Sequence, residues 1–546
     1  MTFDDPPNGP ELVFGLVGAV GLDLALVAEH LQRALREVAY SSEIIRLSEL
    51  LHRVDWDAPL LLESDTTRDK YIQNHQDKGN ELRKCTERGD ALALLAVAAI
   101  RAIRADGDLL TENVEGSQKK EDGQPELTPL HEREDEDYDP TPLFDRVKKP
   151  IPRAAFILRS LKHPDEARTL QDIYGKRFIL IAAHAGDRRD QADLAAAIAH
   201  SNSSSVSSEH VEEAHRIAER DQAEADNPFG QNVRDTYPLA DCFVDVSNEE
   251  NLKREIQRFI ELLFGAPVET PRVDEYGMFL ATGASLRSAA LGRQVGAAIL
   301  DSCGAVIATG TNEVPRAGGG QYWAGDEYDR RDHEYEDGSD SSDIMRRAIL
   351  AEILNEIRKH DVEVPDEDEL LPVMRGTKIG NMVEFGRAVH AELAAIVDSA
   401  RRGVPIKGGT LYTTTFPCHN CARHIVAAGI GEVVYVEPYA KSLATELHRD
   451  AIVLDASSAD TRKVVFRPFI GVAPSRYVDV FTMLKRKDDL GYRLHFQAGK
   501  ALPRDIDLQP YYQLREWRGV IKLAQGLRDG GLKLTDDLIE RAEYKK

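Results

Sequence analysis

Residues 12–17, LVFGLV, form an apolar run that enters glycines at 15, 18 and 21, and the following LDLALVAEHLQRALREV repeats apolar residues at helical spacing. The pattern predicts a strand, a glycine turn and a helix. A second helix is expected over 79–105, and two further apolar runs, AAFILRSL at 154–161 and RFILIAAH at 177–184, predict buried strands of a mostly parallel sheet separated by the helical HPDEARTLQDIYG. The first half therefore reads as α/β. HSNSSSVSS at 200–208 has the composition of a loop, NEENLKREIQRFIELLFG forms an amphipathic helix, and APVETPRVDEYG reads as a linker. A domain boundary is expected near 268. Beyond it the pattern predicts a helix (FLATGASLRSAALG), two strands about a turn (QVGAAILDSCGAVIATG) and a helix from about His390. Then follow strand GTLYTTT, helix CARHIVAAGI, strand EVVYVEP and a later strand VVFRPFIGV.

A length of 546 residues exceeds one ordinary core and fits two domains, and 42% hydrophobic content supports globular ones. Acidic stretches over about 115–142 and 316–343 read as solvated inserts. The formal charge of −24 argues against a polynucleotide partner, which calls for clustered Lys and Arg, but leaves room for small anionic substrates held by local cations. Five scattered cysteines do not suggest a disulfide-stapled protein, so a reducing, cytoplasmic setting is expected. The start has no basic segment followed by an apolar core, and the most apolar early stretch is broken by Asp23 and three glycines, so no signal peptide or membrane segment is expected.

Cys418 and Cys421 form a C-x-x-C pair that alone serves redox, structural zinc or catalysis equally. The segment VHAELAAI changes that balance. A catalytic zinc needs three protein ligands and an open position, with a general acid/base that is not itself a ligand. His390 in the first turn of a helix supplies the third ligand, and Glu392 supplies the proton carrier. Helix N-terminal amides favour the thiolate forms that zinc requires. H-x-E followed by P-C-x-x-C is the pattern of zinc-dependent deaminases. His419 and His424 are not needed to complete the set.

The region from about 276 to 480 resembles the deoxycytidylate deaminases, on RQVGAAI, GTNEVP, HAELAAI, FPCHNC and YVEPYAKSLATELHRDAI. The whole chain resembles bacterial anti-phage dCTP deaminases, with GLVGAVGLDL, RSLKHPDEARTLQDIYG and GQNVRDTYPLAD carrying the likeness in the first half. That resemblance implies a degenerate P-loop, nucleotide-kinase-like parallel-sheet domain over 1–267, containing the acidic insert at 115–142. It also implies a cytidine deaminase-like α/β/α domain with a C-terminal extension over 268–546. It further implies Zn2+ as cofactor, deamination of free deoxycytidine nucleotides (dCTP and dCMP) in anti-phage defence, a homo-oligomer, and control by a partner such as a small inhibitory RNA. On the same basis Asn312 meets the sugar, Thr415 lines the base pocket, and Arg287, Arg293 and Lys441 meet phosphates.

Two competing readings are a polynucleotide cytidine or adenosine deaminase, disfavoured by the charge, and a nucleotide-sensing or RNA-binding regulator with a silent deaminase fold, disfavoured by the intact His390, Glu392, Cys418 and Cys421. Gly15, Gly18 and Gly21 are candidate phosphate-loop residues. Leu22 and Asp23 stand where a phosphate-binding lysine and a magnesium-binding hydroxyl are wanted, which leaves phosphate sensing and a structural role both open.

Overall fold

The computed structural model describes residues 9–106, 150–185, 189–224, 227–334, 340–360, 385–439, 442–454, 462–482, 485–504 and 512–534, with scattered positions between 362 and 377. The acidic insert expected at 115–142 lies outside the described residues. The chain divides into two units, Met1–Glu269 with Thr482–Lys546, and Thr270–Phe481.

The first unit contains β1 (Leu12–Val17), α1 (Leu24–Glu37), β2 (Ser41–Arg46), α2 (Arg68–Cys85), α3 (Ala91–Asp106), β3 (Ala154–Leu161), α4 (Pro164–Tyr174), β4 (Phe178–His184), α5 (Arg189–Ser201), α6 (Ser208–Gln222), β5 (Cys242–Asp245) and α7 (Glu249–Leu263). Its strands pair in parallel in the order β5-β4-β1-β3-β2. Every residue of β1 is buried, as required of a central strand in a parallel sheet covered on both faces. The single helix expected over 79–105 is two. Glu87 takes a left-handed φ of 52°, which no helix interior tolerates, and Arg88 N turns back to Arg83 O.

The turn after β1 is satisfied by the chain itself. Asp23 caps α1, accepting from Ala25 N and Leu26 N at 3.0 Å each. The Asp221 carboxylate, from α6, accepts Val20 N and the Lys162 ammonium at 2.8 Å each, and Lys162 also donates to Gly18 O. Of the three glycines, Gly15 lies within β1, its missing Cβ leaving room for Leu161 and Leu180, and Gly21 takes a φ of 99°.

The second unit contains α8 (Val273–Ser285), β6 (Gly296–Leu300), β7 (Val306–Thr311), α9 (Ser341–Arg358), α10 (Ala391–Arg402), β8 (Thr410–Thr415), α11 (His419–Ala428), β9 (Glu432–Glu437), β10 (Ile452–Val453), β11 (Val464–Pro468) and α12 (Pro474–Phe481). The strand order is β10-β11-β9-β8-β6-β7, with β6 antiparallel to both neighbours and the other pairs parallel. The first helix begins at Val273, six residues before the expected FLATGASLRSAALG, because Arg272 and Glu275 form its capping box. Two glycines let helices press onto the sheet. A Cβ on Gly296 would sit 2.0 Å from Ala281 O of α8, and one on Gly310 would sit 2.0 Å from Ala391 O of α10. The core beneath α10 and α11 joins Ala391, Ala395, Ala422 and Ile425 to Ala297, Ile299 and Leu411 of the strands.

The C-terminal extension assigned from sequence to the second unit packs on the first. Helix α13 (Tyr512–Asp529) buries Val520, Leu523 and Leu527 and lies against α3. Its Glu516 pairs with Arg104, which also meets Glu11, and all three side chains are at most 1% exposed. No helix among the described residues is long and apolar enough to cross a membrane.

Candidate metal centre and active site

The two halves of the motif are brought together by two helix N-termini. His390 is the N-cap of α10, with extended backbone angles, and Glu392 lies in the first turn. Val389, just before it, is pinned by paired backbone hydrogen bonds to Glu313 at 3.1 and 3.2 Å. Cys418 is the N-cap of α11, and Cys421 lies in the first turn behind it. Cys418 Sγ stands 3.3 Å and Cys421 Sγ 3.4 Å from His390 Nδ1, and the three ligand atoms all lie within 4.8 Å of one another. Tetrahedral zinc with ordinary Zn–S and Zn–N bonds calls for about 3.5 Å between such sulfur and nitrogen atoms. One imidazole nitrogen and two sulfurs make a zinc-selective donor set, so the residues present fit the metal. Among the described residues, neither His419 nor His424 joins this cluster.

Of the two sulfurs, Cys418 Sγ is the acceptor. The Cys421 thiol donating to it and the adjacent His390 hold the Cys418 pKa well below the thiol range, while the same bond and burial push Cys421 up. Glu392 is 4% exposed, and burial raises its carboxyl above the usual carboxylate range while His390 opposes the shift. Its Oε2 lies 3.4 Å from Cys421 Sγ, which sets the carboxyl beside the cluster without adding it to the three-atom set.

A cavity of about 390 Å³ opens on this centre, lined by His390, Glu392 and Cys418 together with Asn312, Thr415 and Arg293. Its size falls within the roughly 300–1,000 Å³ of small-molecule sites. Asn312 spends both ends of its amide on backbone: Oδ1 accepts Val295 N and Nδ2 donates to Arg293 O, each at 2.7 Å. The Thr415 hydroxyl donates to Glu437 Oε2 at 3.3 Å. Arg287 is not among the lining residues. Its guanidinium lies 3.7 Å from the centre of the Trp323 ring and donates to Gln321 Oε1 and Tyr322 O at 3.0 Å each. Lys441 lies outside the described residues. Gly15, Gly18 and Gly21 belong to the first unit and take no part in this cavity. Sequence reasoning missed Tyr439 and Arg346, which also line it. Tyr439 stood within the quoted YVEPYAKS, whereas Arg346 on α9 carries no motif.

Residues 271–437 match the family model described as the cytidine and deoxycytidylate deaminase zinc-binding region. The second unit carries a deaminase zinc-binding domain. That family model implies zinc, and the His/Cys/Cys cluster is consistent with binding it. The chain is 48% identical over 54 residues to the deoxycytidylate deaminase of Enterobacteria phage T2, a match covering 10% of this chain and 29% of that one. Over 174 residues it is 30% identical to the deoxycytidylate deaminase of Saccharomyces cerevisiae, covering 32% of this chain and 40% of the yeast protein. Both matches thus span less than half of the relative's own length. The dCMP deaminase of cyanophage S-TIM5, solved in complex with dCMP and dUMP, is 21% identical; the superposition covers 36% of this chain and 98% of that one with a TM-score of 0.22.

Proposed function

We propose that the deaminase domain hydrolyses the exocyclic amine of free deoxycytidine nucleotides, dCTP and dCMP, giving the deoxyuridine nucleotide and ammonia. The observation that carries this reading is the placement of one buried carboxyl, Glu392, beside three zinc-ligating atoms at the edge of a nucleotide-sized cavity. When bound, zinc supplies the Lewis acidity that brings the pKa of water to about 7 and makes it a nucleophile at neutral pH.

The residues of the chain do the rest. His390, Cys418 and Cys421 hold the metal at two helix ends fixed to one sheet. Glu392 takes a proton from water at a carboxylate oxygen and delivers it to N3 of the ring as water adds at C4. The same carboxyl then moves the proton of the new C4 hydroxyl to the amino nitrogen, and the C4–N bond breaks as C4=O forms, releasing ammonia. Burial suits Glu392 to this work, because a raised carboxyl pKa lets the group hold a proton that an exposed glutamate would lose. Phe416 and Val295 add apolar side chains to the lining, against which the ring can pack.

The resemblance to anti-phage dCTP deaminases supports a role in draining the dCTP pool during infection, by a cytoplasmic homo-oligomer under partner control. Assays on dCTP, dCMP and a cytosine oligonucleotide test the chemistry, and nucleotide pools in infected cells expressing wild type or Glu392→Ala test the role. Turnover of the free nucleotides and a fall in dCTP with wild type alone are expected. Unchanged pools with wild type would refute the defence role.

A further inference from the structure

In the first unit, the segment that follows β2 is tied along α2. Leu61 N donates to Asn74 Oδ1 at 3.0 Å, and the Lys78 ammonium lies 4.6 Å from the centre of the Trp56 ring. Nearer β2, His52 in the short turn Leu51–Arg53 meets His75 of α2. The two imidazoles face each other nitrogen to nitrogen, with the two Nε2 atoms 3.3 Å apart. His75 is 8% exposed and packs on the Tyr71 ring with 4.1 Å between ring centres, whereas His52 is half-buried.

The helix sets the tautomer of His75. Its Nδ1 stands 2.9 Å from Tyr71 O, an atom that can only accept, so Nδ1 carries the hydrogen and Nε2 of the neutral ring turns its lone pair towards His52. Metal-ligating histidines are held in this way, with the second ring nitrogen donating to a backbone carbonyl. The spacing fits a metal better than a hydrogen bond. Two nitrogens on a tetrahedral cation at ordinary zinc–nitrogen distances stand about 3.3 Å apart, while hydrogen bonds from N–H donors centre near about 2.9–3.0 Å.

We propose that His52 and His75 form a second metal site, taking one exchangeable divalent ion of the zinc, nickel and copper group on their Nε2 atoms, with water in the remaining positions. Imidazole nitrogen suits these ions and not magnesium or calcium. Among the described residues no third imidazole, thiolate or carboxylate lies close enough to complete a three-ligand set with the pair, so the ion exchanges where the His/Cys/Cys centre retains its own. Bound there, it ties the turn after β2 to α2 and stabilises the first unit, because the unfolded chain does not hold the two imidazoles together. The site stands apart from the deaminase centre in the chain and does not depend on how that centre is read.

The test is calorimetric titration of Zn2+ and of Ni2+ into the full-length protein already carrying one zinc per chain, with the melting temperature followed in parallel. Wild type takes up one further equivalent, loses it again on dialysis, and melts higher while it is bound. His52→Gln and His75→Gln each weaken that uptake by about tenfold or more and remove the melting shift, while the zinc of the His/Cys/Cys centre and the turnover of dCMP stay at wild-type levels. Cu2+ added as the further equivalent shows two imidazole nitrogens in the electron paramagnetic resonance spectrum of wild type and one in either variant. Should His75→Gln fail to fold, His52→Gln, at the half-buried position, decides the matter by itself. No further equivalent in wild type overturns the proposal. A further equivalent that the folded variants bind as tightly as wild type also overturns it, since the ion then sits elsewhere on the chain.

Discussion

Gly310 of β7 meets Ala391 of α10 so closely that a Cβ on the glycine would sit 2.0 Å from the Ala391 carbonyl oxygen and 2.5 Å from Ala395 N. Ala391 lies between the ligand His390 and the carboxyl of Glu392, so this contact sets the depth of the helix that carries both. Gly310→Ala must push α10 off the sheet, because the obstacle is backbone and cannot rotate away. We expect a loss of about 1–3 kcal/mol of stability and a larger loss of activity than of zinc content. Thermal melting, metal analysis and turnover measured on one preparation check this.

On the proposed mechanism Glu392 moves protons and does not bind metal. Glu392→Gln keeps the volume and the ligand set but cannot accept a proton, and kcat is expected to fall by about 10²–10⁴-fold while zinc content stays at one per chain. Loss of zinc from this variant would assign Glu392 to the ligand set instead.

The ligands bridge two helix N-termini, so removing the metal leaves two sulfurs and an imidazole crowded in a buried site. Chelation is expected to abolish turnover and lower the melting temperature, and added zinc to restore both. Zinc needs both sulfurs as thiolates, so protons compete with it, and its apparent affinity rises with pH. Calorimetric titrations in buffers of different ionisation heat would read the protons released on binding. A pH-independent affinity would argue against two-thiolate ligation.

Glu516 tests whether the last helix belongs to the first unit. Its carboxylate meets Arg104 at 2.6 Å with both side chains at 0% exposure. Glu516→Ala leaves Arg104 buried beside Glu11 without its second acid, and the loss is expected to be about 3–5 kcal/mol, whereas truncation before α13 also strips Val520, Leu523 and Leu527 from the first unit. Melting of the first unit should drop in both variants while the zinc content of the second stays unchanged.

Asp221 tests the turn after β1. Its side chain is 2% exposed and accepts Val20 N and Lys162 together. Asp221→Ala leaves an ammonium and an amide without that acceptor, and about 2–4 kcal/mol is expected to be lost. Lys162→Met in the same chain should recover part of it, a coupling that a double-mutant cycle would measure.

Much of this was legible before any coordinates. The alternation of apolar runs and helical spacing located β1, β3, β4, β8 and β9 to within a residue or two, since a strand buried on both faces tolerates few polar residues. That His390, Cys418 and Cys421 would gather with Glu392 beside them was legible because each function expected of a metal site demands one residue type at a short, fixed spacing from its neighbour. The split of the helix over 79–105 was not, because one left-handed residue, Glu87, leaves no mark on hydrophobic periodicity.

What only the tertiary structure decided is what lies across space. The sequence says that α13 has an apolar face but not which unit receives it, and Glu516 reads as a surface charge until Arg104 and Arg101 are seen around it. Arg287 and Arg293 sit alike in the sequence, six residues apart, yet one stacks on Trp323 while the other enters the cavity. Arg346 reaches that cavity from a helix with no motif at all. Spacing along the chain constrains chemistry shared by neighbours, whereas the electrostatics of a pocket is summed over residues that only the packing of helices on a sheet brings together.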